Sequence, residues 1–351
     1  MKALVQLGDE RAFGELVAGH RNELFAHCYR MLGSPQDAED ALQETLLRAW
    51  RGIGGFEGRS SPRSWLYTIA TNASLRALER RPRRVIPLEH GPPAEPHEGP
   101  GPPLAESVWV QPLADEPLAL PDGPASPEAR YEQRESVELA FVAALQTLSA
   151  RQRAVLILRD VLGFSARETA AALDSSPASI DSALQRARRT LDSHLPERSQ
   201  QATLRALGDR RLAEIVEAYM DAWGRGDTAA LVELLAEEAT ISMPPMATWY
   251  RGRDAVARFL SSWPMENDRG WPCEPLSANG QLAFAHYEIR RDDGRVVPHN
   301  ISLIELDGER IAGITAFLSP EIFSDFGLGQ QPSGRRSFRP ASGAGEGGPA
   351  G

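Results

Sequence analysis

The sequence has few cysteines and almost no lysine. Its 351 residues include two cysteines, Cys28 and Cys273, which lie far apart in different predicted domains. A disulfide framework is therefore not expected, and the reducing cytoplasm is the expected compartment. Lys2 is the single lysine, so arginine supplies nearly all the positive charge, a bias that GC-rich coding sequence produces.

Other patterns are also missing. No run approaches the roughly 18 consecutive apolar residues of a membrane span, and the first residues show no basic-then-apolar signal. The cysteines have no partners at metal-ligand spacing, and no Gly-rich phosphate loop of the P-loop type occurs. We therefore expect a soluble, cytoplasmic protein with no membrane association, no metal and no cofactor.

The charge balance limits where nucleic acid can bind. The chain has 38 Lys+Arg against 48 Asp+Glu, a formal net charge of -10. A protein that is basic throughout is excluded, so DNA binding must come from local basic patches. The length is enough for two or three domains.

Residues 148–191 have the layout of a helix-turn-helix. A short Ala-rich helix at residues 166–173 is followed by a turn in which Ser176 suits the N-cap of the next helix and Pro177 its first position. That helix, residues 177–191, has a polar N-terminal half and arginines near its end. Such a helix enters the major groove while its arginines hold phosphates.

Three more helices are predicted nearer the N-terminus, over residues 10–31, 37–50 and 64–81. The first is amphipathic. The second is acidic in its first turns, where the helix dipole favours negative charge. A Gly/Ser-rich loop at residues 52–63 leads to the third helix, which begins with aromatic residues that include Trp65 and ends in arginines.

The segments DAEDALQETLLRAW and RSWLYTIATNASLRALERR, separated by the Gly-rich loop, resemble region 2 of the extracytoplasmic-function (group 4) sigma factors. Residues 148–191 resemble region 4 of the same family. The resemblance implies an all-α sigma region 2 over residues 1–84 and a helix-turn-helix region 4 over residues 133–198, with no region 3 between them. It also implies a factor that binds core RNA polymerase and directs initiation at −10 and −35 promoter elements, and that is not an enzyme.

Residues 85–132 form a predicted linker that holds twelve of the 27 prolines and nine acidic side chains against Arg130 alone. Such a composition cannot bury enough apolar surface to fold by itself. The apolar island around Trp109 has two compatible interpretations. Trp109 docks on a neighbouring domain, or the acidic linker runs through a basic channel of the polymerase where the template strand would otherwise lie.

Residues 207–328 read as a third domain in which helices precede a meander of strands, which is an α+β pattern. Helices are expected at residues 209–225, 228–235 and 252–263, and strands at residues 239–243, 282–289, 296–306 and 311–317. The segments AYMDAWGRGDTAALVELLAEEATISMPP and WYRGRDAVARFL resemble the SnoaL-like domain, a cone-shaped curved sheet wrapped by helices. Residues 329–351 are predicted to be a disordered tail.

The family resemblance assigns functional residues to region 2. The acidic helix is expected to dock on the β′ clamp helices of the polymerase, although the same residues would also suit a solvated helix face. Trp65 is a candidate wall of a pocket for unstacked −10 bases, or else part of the core. The polymerase-binding candidates are Asp37, Glu39, Asp40, Glu44 and Trp50. The −10 candidates are Phe56, Arg63, Trp65, Asn72, Arg76, Arg80 and Arg81, and Arg83 and Arg84 are expected to hold phosphates.

In region 4 the resemblance assigns −35 recognition to the start of the last helix, with the arginines on the DNA backbone or against the polymerase β flap. The chain departs from the common family pattern at Asp181 and Ala183, where most relatives carry basic residues. This departure leaves the −35 sequence open. The candidates are Ser176, Ala178, Ser179, Asp181, Ser182, Gln185, Arg186, Arg188 and Arg189.

The third domain admits two functions. It regulates the sigma regions in cis, or it binds a small ligand, on which a pair of Asp254 with His286 or His299 could carry out acid–base chemistry. The candidate cavity residues are Trp223, Met243, Met246, Trp249, Tyr250, Trp263, Trp271, His286 and His299. An alternative for the whole chain is a helix-turn-helix regulator with a ligand-sensing C-terminal domain that acts without polymerase.

Overall fold

The computed structural model describes residues 10–58, 60–95, 99–115, 135–266 and 270–334. The N-terminal unit contains four helices: α1 (Glu10–Ala18), α2 (Arg21–Leu32), α3 (Pro35–Gly52) and α4 (Pro62–Leu78). The single helix expected over residues 10–31 is two helices, since the chain turns at residues 19–20, where Gly19 lowers helix propensity.

Ser-Pro pairs set the starts of the two longer helices of this unit. Ser34 caps α3 and Ser61 caps α4, each accepting a bond from a backbone N–H, and a proline follows each cap at the start of the helix. Both helices therefore begin two residues earlier than their apolar spacing suggests. Leu24, Leu42 and Leu66 are fully buried where α2, α3 and α4 meet.

The second helical unit contains α6 (Leu139–Thr147), α7 (Ala150–Leu156), α8 (Ala166–Ala172) and α9 (Pro177–Asp192), after a short helix α5 (Pro87–His90). A π-turn at Ile157–Val161 extends α7. The predicted start of α9 is confirmed, because the Ser176 hydroxyl accepts from the Ser179 N–H and Pro177 opens the helix. Ile180, Leu184 and Ala187 bury one face of α9.

The third domain is α+β, as predicted. Its helices are α10 (Gln200–Arg225), α11 (Thr228–Glu233) and α12 (Arg253–Ser262). Its strands are β1 (Leu235–Ser242), β2 (Trp249–Arg251), β3 (Cys273–Ala278), β4 (Gln281–Ile289), β5 (Val296–Asp307) and β6 (Arg310–Phe317). The sheet order is β2-β1-β6-β5-β4-β3; β1 and β6 pair in parallel and the other neighbours are antiparallel. The short edge strand β2 lies between the strand expected at residues 239–243 and the helix expected at residues 252–263, where no strand was predicted.

Each face of this sheet packs against a different partner. Tyr219 of α10 and Val256 of α12 share a buried cluster with Phe284 of β4. Ala285 and other residues on the opposite face belong to a second cluster that also contains Leu113, Leu139 and the cores of both helical units. The third domain therefore shares one continuous apolar core with the rest of the chain. No helix in the described ranges is long and apolar enough to cross a membrane.

The described part of the linker runs along its neighbours rather than forming a core of its own. Val85 pairs with Trp109, Pro103 with Met246 and Ala114 with Ala278 as isolated bridges. Trp109 is 2% exposed, and its indole N–H donates to the Pro245 carbonyl at 3.0 Å. Docking of Trp109 on the neighbouring domain is thus observed; passage of the linker through a polymerase channel stays a prediction.

The predicted linker and the predicted disordered tail are only partly described. Residues 96–98 and 116–132 of the linker and residues 335–351 of the tail lie outside the described residues. At the start of the tail, the Ser333 N–H donates to the Glu274 carboxylate at 2.8 Å, so this residue is attached to β3.

A buried carboxylate joins the second helical unit to the third domain. Glu138 is 4% exposed and accepts from the backbone N–H groups of Gln200 and Gln201, at 3.0 and 2.8 Å, at the start of α10. Burial is the main cause that raises the pKa of Glu138 from 4.5 to about 7; the two backbone bonds act against it, and the nearby carboxylates of Glu135 and Glu305 add to it.

We expect this group to make stability depend on pH. Because folding raises its pKa, Glu138 contributes stability fully below about pH 4.5, and the contribution is lost as the pH rises through about 7. The free energy of unfolding of the native chain, minus that of Glu138→Gln, should fall by roughly 3 kcal/mol between about pH 4.5 and about pH 8. Urea denaturation of both proteins across this range measures it. A difference that stays constant with pH would contradict this origin.

Candidate nucleic-acid interface

Helix α3 presents one exposed face along its length. Asp40 and Glu44 lie on it, followed by Leu47 and Trp50, which are 52% and 39% exposed. Glu39 is partly exposed and pairs with Arg21 at 2.7 Å. Glu44 pairs with Arg48 one turn further along. This face is acidic in its first half and apolar in its second, where Leu47 and Trp50 lie one turn apart, and adjacent exposed apolar side chains suit an interaction surface.

Asp37 lies away from this face, contrary to the expectation of an exposed acidic residue. Its side chain is 8% exposed because Arg81 and Arg84 hold the carboxylate, the latter at 2.8 Å. Arg84 is equally buried and also donates to the Trp109 carbonyl at 2.6 Å and the Glu106 carbonyl at 3.2 Å. Arg84 therefore ties the linker to α3, and its side chain is not available as a phosphate contact in this arrangement.

We expect Asp37→Ala to destabilise the chain by about 3–5 kcal/mol, because it leaves the Arg84 guanidinium buried without its counter-ion. Asp40→Ala is the matched control on the same helix, with a carboxylate that is 64% exposed, and should change stability by no more than about 0.5 kcal/mol. Chemical denaturation measures both. Equal effects of the two substitutions would show that the buried pair adds nothing special.

The −10 candidates cluster around the start of α4. Phe56 packs on Trp65 with ring centroids 5.0 Å apart. The Arg63 guanidinium carbon lies 5.0 Å from the centroid of the Tyr67 ring and 4.9 Å from that of Phe164. Phe56, Arg63, Trp65 and Asn72 are partly buried, whereas Arg76, Arg80 and Arg81 further along are exposed. Trp65 and Arg76 lie on α4, Phe56 lies in the loop before it, and Arg80 and Arg81 follow directly after its end.

The −35 candidates form the exposed surface of α9. All nine are exposed: Ser176, Ala178, Ser179, Asp181, Ser182, Gln185, Arg186, Arg188 and Arg189. Arg188 donates two bonds to the Asp160 carboxylate, at 2.8 and 2.7 Å. Asp181 lies 4.0 Å from Arg159. These two pairs tie α9 to the π-turn at Ile157–Val161, and Asp181 thereby has a partner within its own domain.

The two helical units touch each other at the start of α4. Phe164, in the turn before α8, and Glu168, on α8, both reach this point. The Ser64 hydroxyl donates to Glu168 at 3.2 Å, and Phe164 packs against Arg63. The candidate −10 surface is therefore in contact with the helix-turn-helix.

Asn279, at the turn between β3 and β4, holds the units together. It is fully buried, and its side-chain amide donates to the Tyr29 hydroxyl and the Val137 carbonyl, each at 2.7 Å. Its side-chain oxygen accepts from the Leu113 N–H at 2.8 Å. The Tyr29 hydroxyl in turn donates to the Gln111 carbonyl at 2.8 Å. We call Asn279 with these partners the Asn279 hub; it joins the first unit, the linker, the second unit and the third domain.

The candidate cavity residues of the third domain separate into different environments. His286 lies 3.2 Å from the Tyr219 hydroxyl and packs on Trp223, and burial lowers its pKa to about 3. His299 packs on Trp271 and lies 3.9 Å from Glu288, while Asp254 is in the first turn of α12. The remaining candidates are core residues (Met243, Met246, Tyr250), a linker contact (Trp249, whose indole donates to Gly91) or exposed (Trp263).

Comparison with known proteins decides between the interpretations. Profiles of sigma-70 region 2, of sigma-70 region 4 and of the SnoaL-like domain match residues 16–84, 138–191 and 216–314. The extracytoplasmic-function RNA polymerase sigma factor SigG of Mycobacterium tuberculosis is 42% identical over 323 residues, which cover 91% of this chain and 85% of SigG. The chain belongs to the extracytoplasmic-function sigma factors. It is a promoter-recognition factor and not an enzyme. The comparisons therefore favour the sigma-factor interpretation over a regulator that acts without polymerase.

Two further comparisons bear on parts of this sigma factor. The RNA polymerase sigma-H factor of Pseudomonas aeruginosa is 31% identical over 191 residues, which cover 54% of this chain and 90% of that protein. The crystal structure of the M. tuberculosis sigma factor SigJ has a TM-score of 0.57 at 22% identity and covers 90% of this chain and 99% of SigJ. The second comparison shows the shared fold alone.

Sequence reasoning missed three residues of this interface. Leu47 follows the acidic stretch, and only its exposure separates it from the core leucines. Phe164 lies just before the Ala-rich helix, and no local pattern there indicates that it reaches α4. Asn279 precedes Gly280 between two strands, and this Asn-Gly pair is a hairpin signal that indicates a turn but not its burial.

Proposed function

We propose that this sigma factor docks on the β′ clamp helices of core RNA polymerase through the exposed face of α3. Leu47 and Trp50 supply the apolar part of the contact, and Asp40 and Glu44 supply charge for a basic partner. The pairs of Glu39 with Arg21 and of Glu44 with Arg48 are exposed and cost little to exchange for pairs with a partner.

The promoter contacts in this proposal follow the exposed surfaces of α4 and α9. Phe56, Trp65 and the partly exposed Arg63 bind unstacked −10 bases, while Asn72, Arg76, Arg80 and Arg81 follow the strand. The nine exposed residues of α9 face the −35 element. A groove of about 530 Å³, lined by Phe141, Leu156 and Leu191 among others, is the proposed seat of the β flap.

We further propose that the SnoaL-like domain regulates these contacts in cis by holding regions 2 and 4 together. The observation that carries this proposal is the Asn279 hub, which is buried among all four parts of the chain. The −10 and −35 elements lie about 25 base pairs apart, roughly 85 Å of duplex. With Ser64 of α4 bonded to Glu168 of the helix-turn-helix, the two reading helices cannot engage both elements at once.

Polymerase docking is tested by Leu47→Glu, which places a charge in the apolar part of the α3 face. We expect the affinity for core polymerase to fall at least about tenfold, as for a contact residue near the centre of an interface. Leu88→Glu is the matched control, since Leu88 is exposed on α5 outside that face. Binding of labelled core enzyme, followed by run-off transcription on a promoter library, measures the effect. Undiminished binding of the Leu47 variant would exclude this docking face.

Regulation in cis is tested by Asn279→Gly. Asn279 has φ of +53, which glycine adopts without strain, so the backbone is preserved while the side-chain bonds are lost. We expect regions 2 and 4 to separate more easily, so that run-off transcription rises at limiting factor, and a larger radius of gyration in solution scattering.

Tyr29→Phe removes another bond of the hub and should act in the same direction. Tyr287→Phe is its control, because the Tyr287 hydroxyl bonds Glu274 within the third domain. Unchanged scattering and transcription for both hub variants would overturn regulation through this contact.

A further inference from the structure

At the start of α4, region 4 contacts region 2 through an aromatic ring and a carboxylate. On the region 2 side, Arg63 already has partners of its own domain. Its guanidinium lies against the Tyr67 ring and 3.6 Å from the Glu23 carboxylate, and the Tyr67 hydroxyl donates to the same carboxylate at 3.2 Å. Region 4 therefore adds to a cluster that is already formed.

Region 4 adds the Leu162 backbone carbonyl, which accepts from the Arg63 guanidinium at 3.4 and 3.5 Å, and two side-chain groups, one flat ring and one carboxylate. Phe164 is 7% exposed and places its ring against Arg63, with its centroid 5.5 Å from that of Tyr67 in an edge-on arrangement. Glu168, which is exposed, uses one oxygen to accept from the Ser64 hydroxyl at 3.2 Å. Its other oxygen accepts from the Ser165 N–H at 2.9 Å within the capping box of α8.

A nucleotide offers these same two groups. Single-stranded bases stack on aromatic rings and on arginine planes, and phosphate oxygens accept bonds from serine hydroxyls as carboxylates do. We propose that Phe164 and Glu168 occupy, in this closed arrangement, the seats of one unstacked base and its neighbouring phosphate. Arg63 and Tyr67 form the base seat, and Ser64 belongs to the phosphate seat. The inference rests on the proposed placement of the −10 strand at the start of α4.

The proposal makes region 4 a direct competitor of single-stranded DNA. While the ring and carboxylate are in place, the strand cannot reach Arg63. The apparent affinity of the free factor for the strand is therefore the affinity of the open form multiplied by the fraction of molecules that are open. This competition is distinct from the Asn279 hub, which holds the units at a different place and uses no residue of the base seat.

The test uses the full chain without polymerase and a fluorescein-labelled, 12-nucleotide single strand of randomised sequence. The double variant Phe164→Leu with Glu168→Gln removes the ring and the charge, while glutamine still completes the capping box. We expect its affinity for the strand, measured by anisotropy, to exceed that of the native chain by about tenfold. Adding Arg63→Ala should abolish the gain. Phe141→Leu, a partly buried region 4 phenylalanine outside this contact, is the control and should give none.

A second measurement guards against loss of folding in the variant. Hydrogen exchange on the native chain with saturating strand should show protection at residues 61–67 together with faster exchange at residues 162–168. The proposal is overturned if the double variant gains no affinity, if the gain survives Arg63→Ala, if Phe141→Leu gains as much, or if the strand binds without loosening region 4. Failure of the −10 assignment itself is separate: it would appear as normal promoter melting by holoenzyme that carries Arg63→Ala.

Discussion

The arrangement of this sigma factor depends on the bonds of one buried amide. Asn279 is fully buried, and its backbone lies in the left-handed region, where glycine and asparagine are the residues most readily accommodated. Its side chain must both donate and accept, because it faces two acceptors and a backbone N–H. An apolar residue there would leave these partners buried without bonds, which is costlier than the bonds themselves are stabilising. The geometry of four chain segments is thus specified at one position.

A second constraint connects α3 to the third domain through the linker. Arg84 bonds the Asp37 carboxylate of α3 and the carbonyl of Trp109, and the Trp109 indole bonds Pro245 beside β2. Each step joins buried groups, so a movement of the linker must break a buried pair or leave a polar group without a partner. The linker therefore connects region 2 to the third domain through buried bonds, although its composition could not fold by itself.

Features that depend on neighbouring residues, such as helix starts, could be predicted from the sequence, whereas features that depend on residues distant in the chain could not. The helices of region 4 follow from apolar spacing and from Ser176-Pro177, because caps act within one turn. Asp37 and Asp40 look alike within the acidic helix, and the difference arises from Arg84, 47 residues further along. The edge strand β2 is three residues long and is defined by its pairing with β1, which no period reveals. The α9 candidates lie on an exposed surface as the pattern indicates, whereas contact between α4 and the helix-turn-helix depends on tertiary packing.

The positions of these contacts constrain the order of events in initiation. The α3 face is exposed in the closed arrangement, so polymerase can dock there without separating regions 2 and 4. A ligand that binds both states equally well shifts no equilibrium, and docking at α3 alone therefore cannot open the factor. The free energy for opening must come from surfaces that only the open state offers, which are the start of α4 and any contact that needs α9 at a distance from it. In the proposed function, α3 therefore recruits the factor to polymerase, and the spacing of the promoter elements selects the open form.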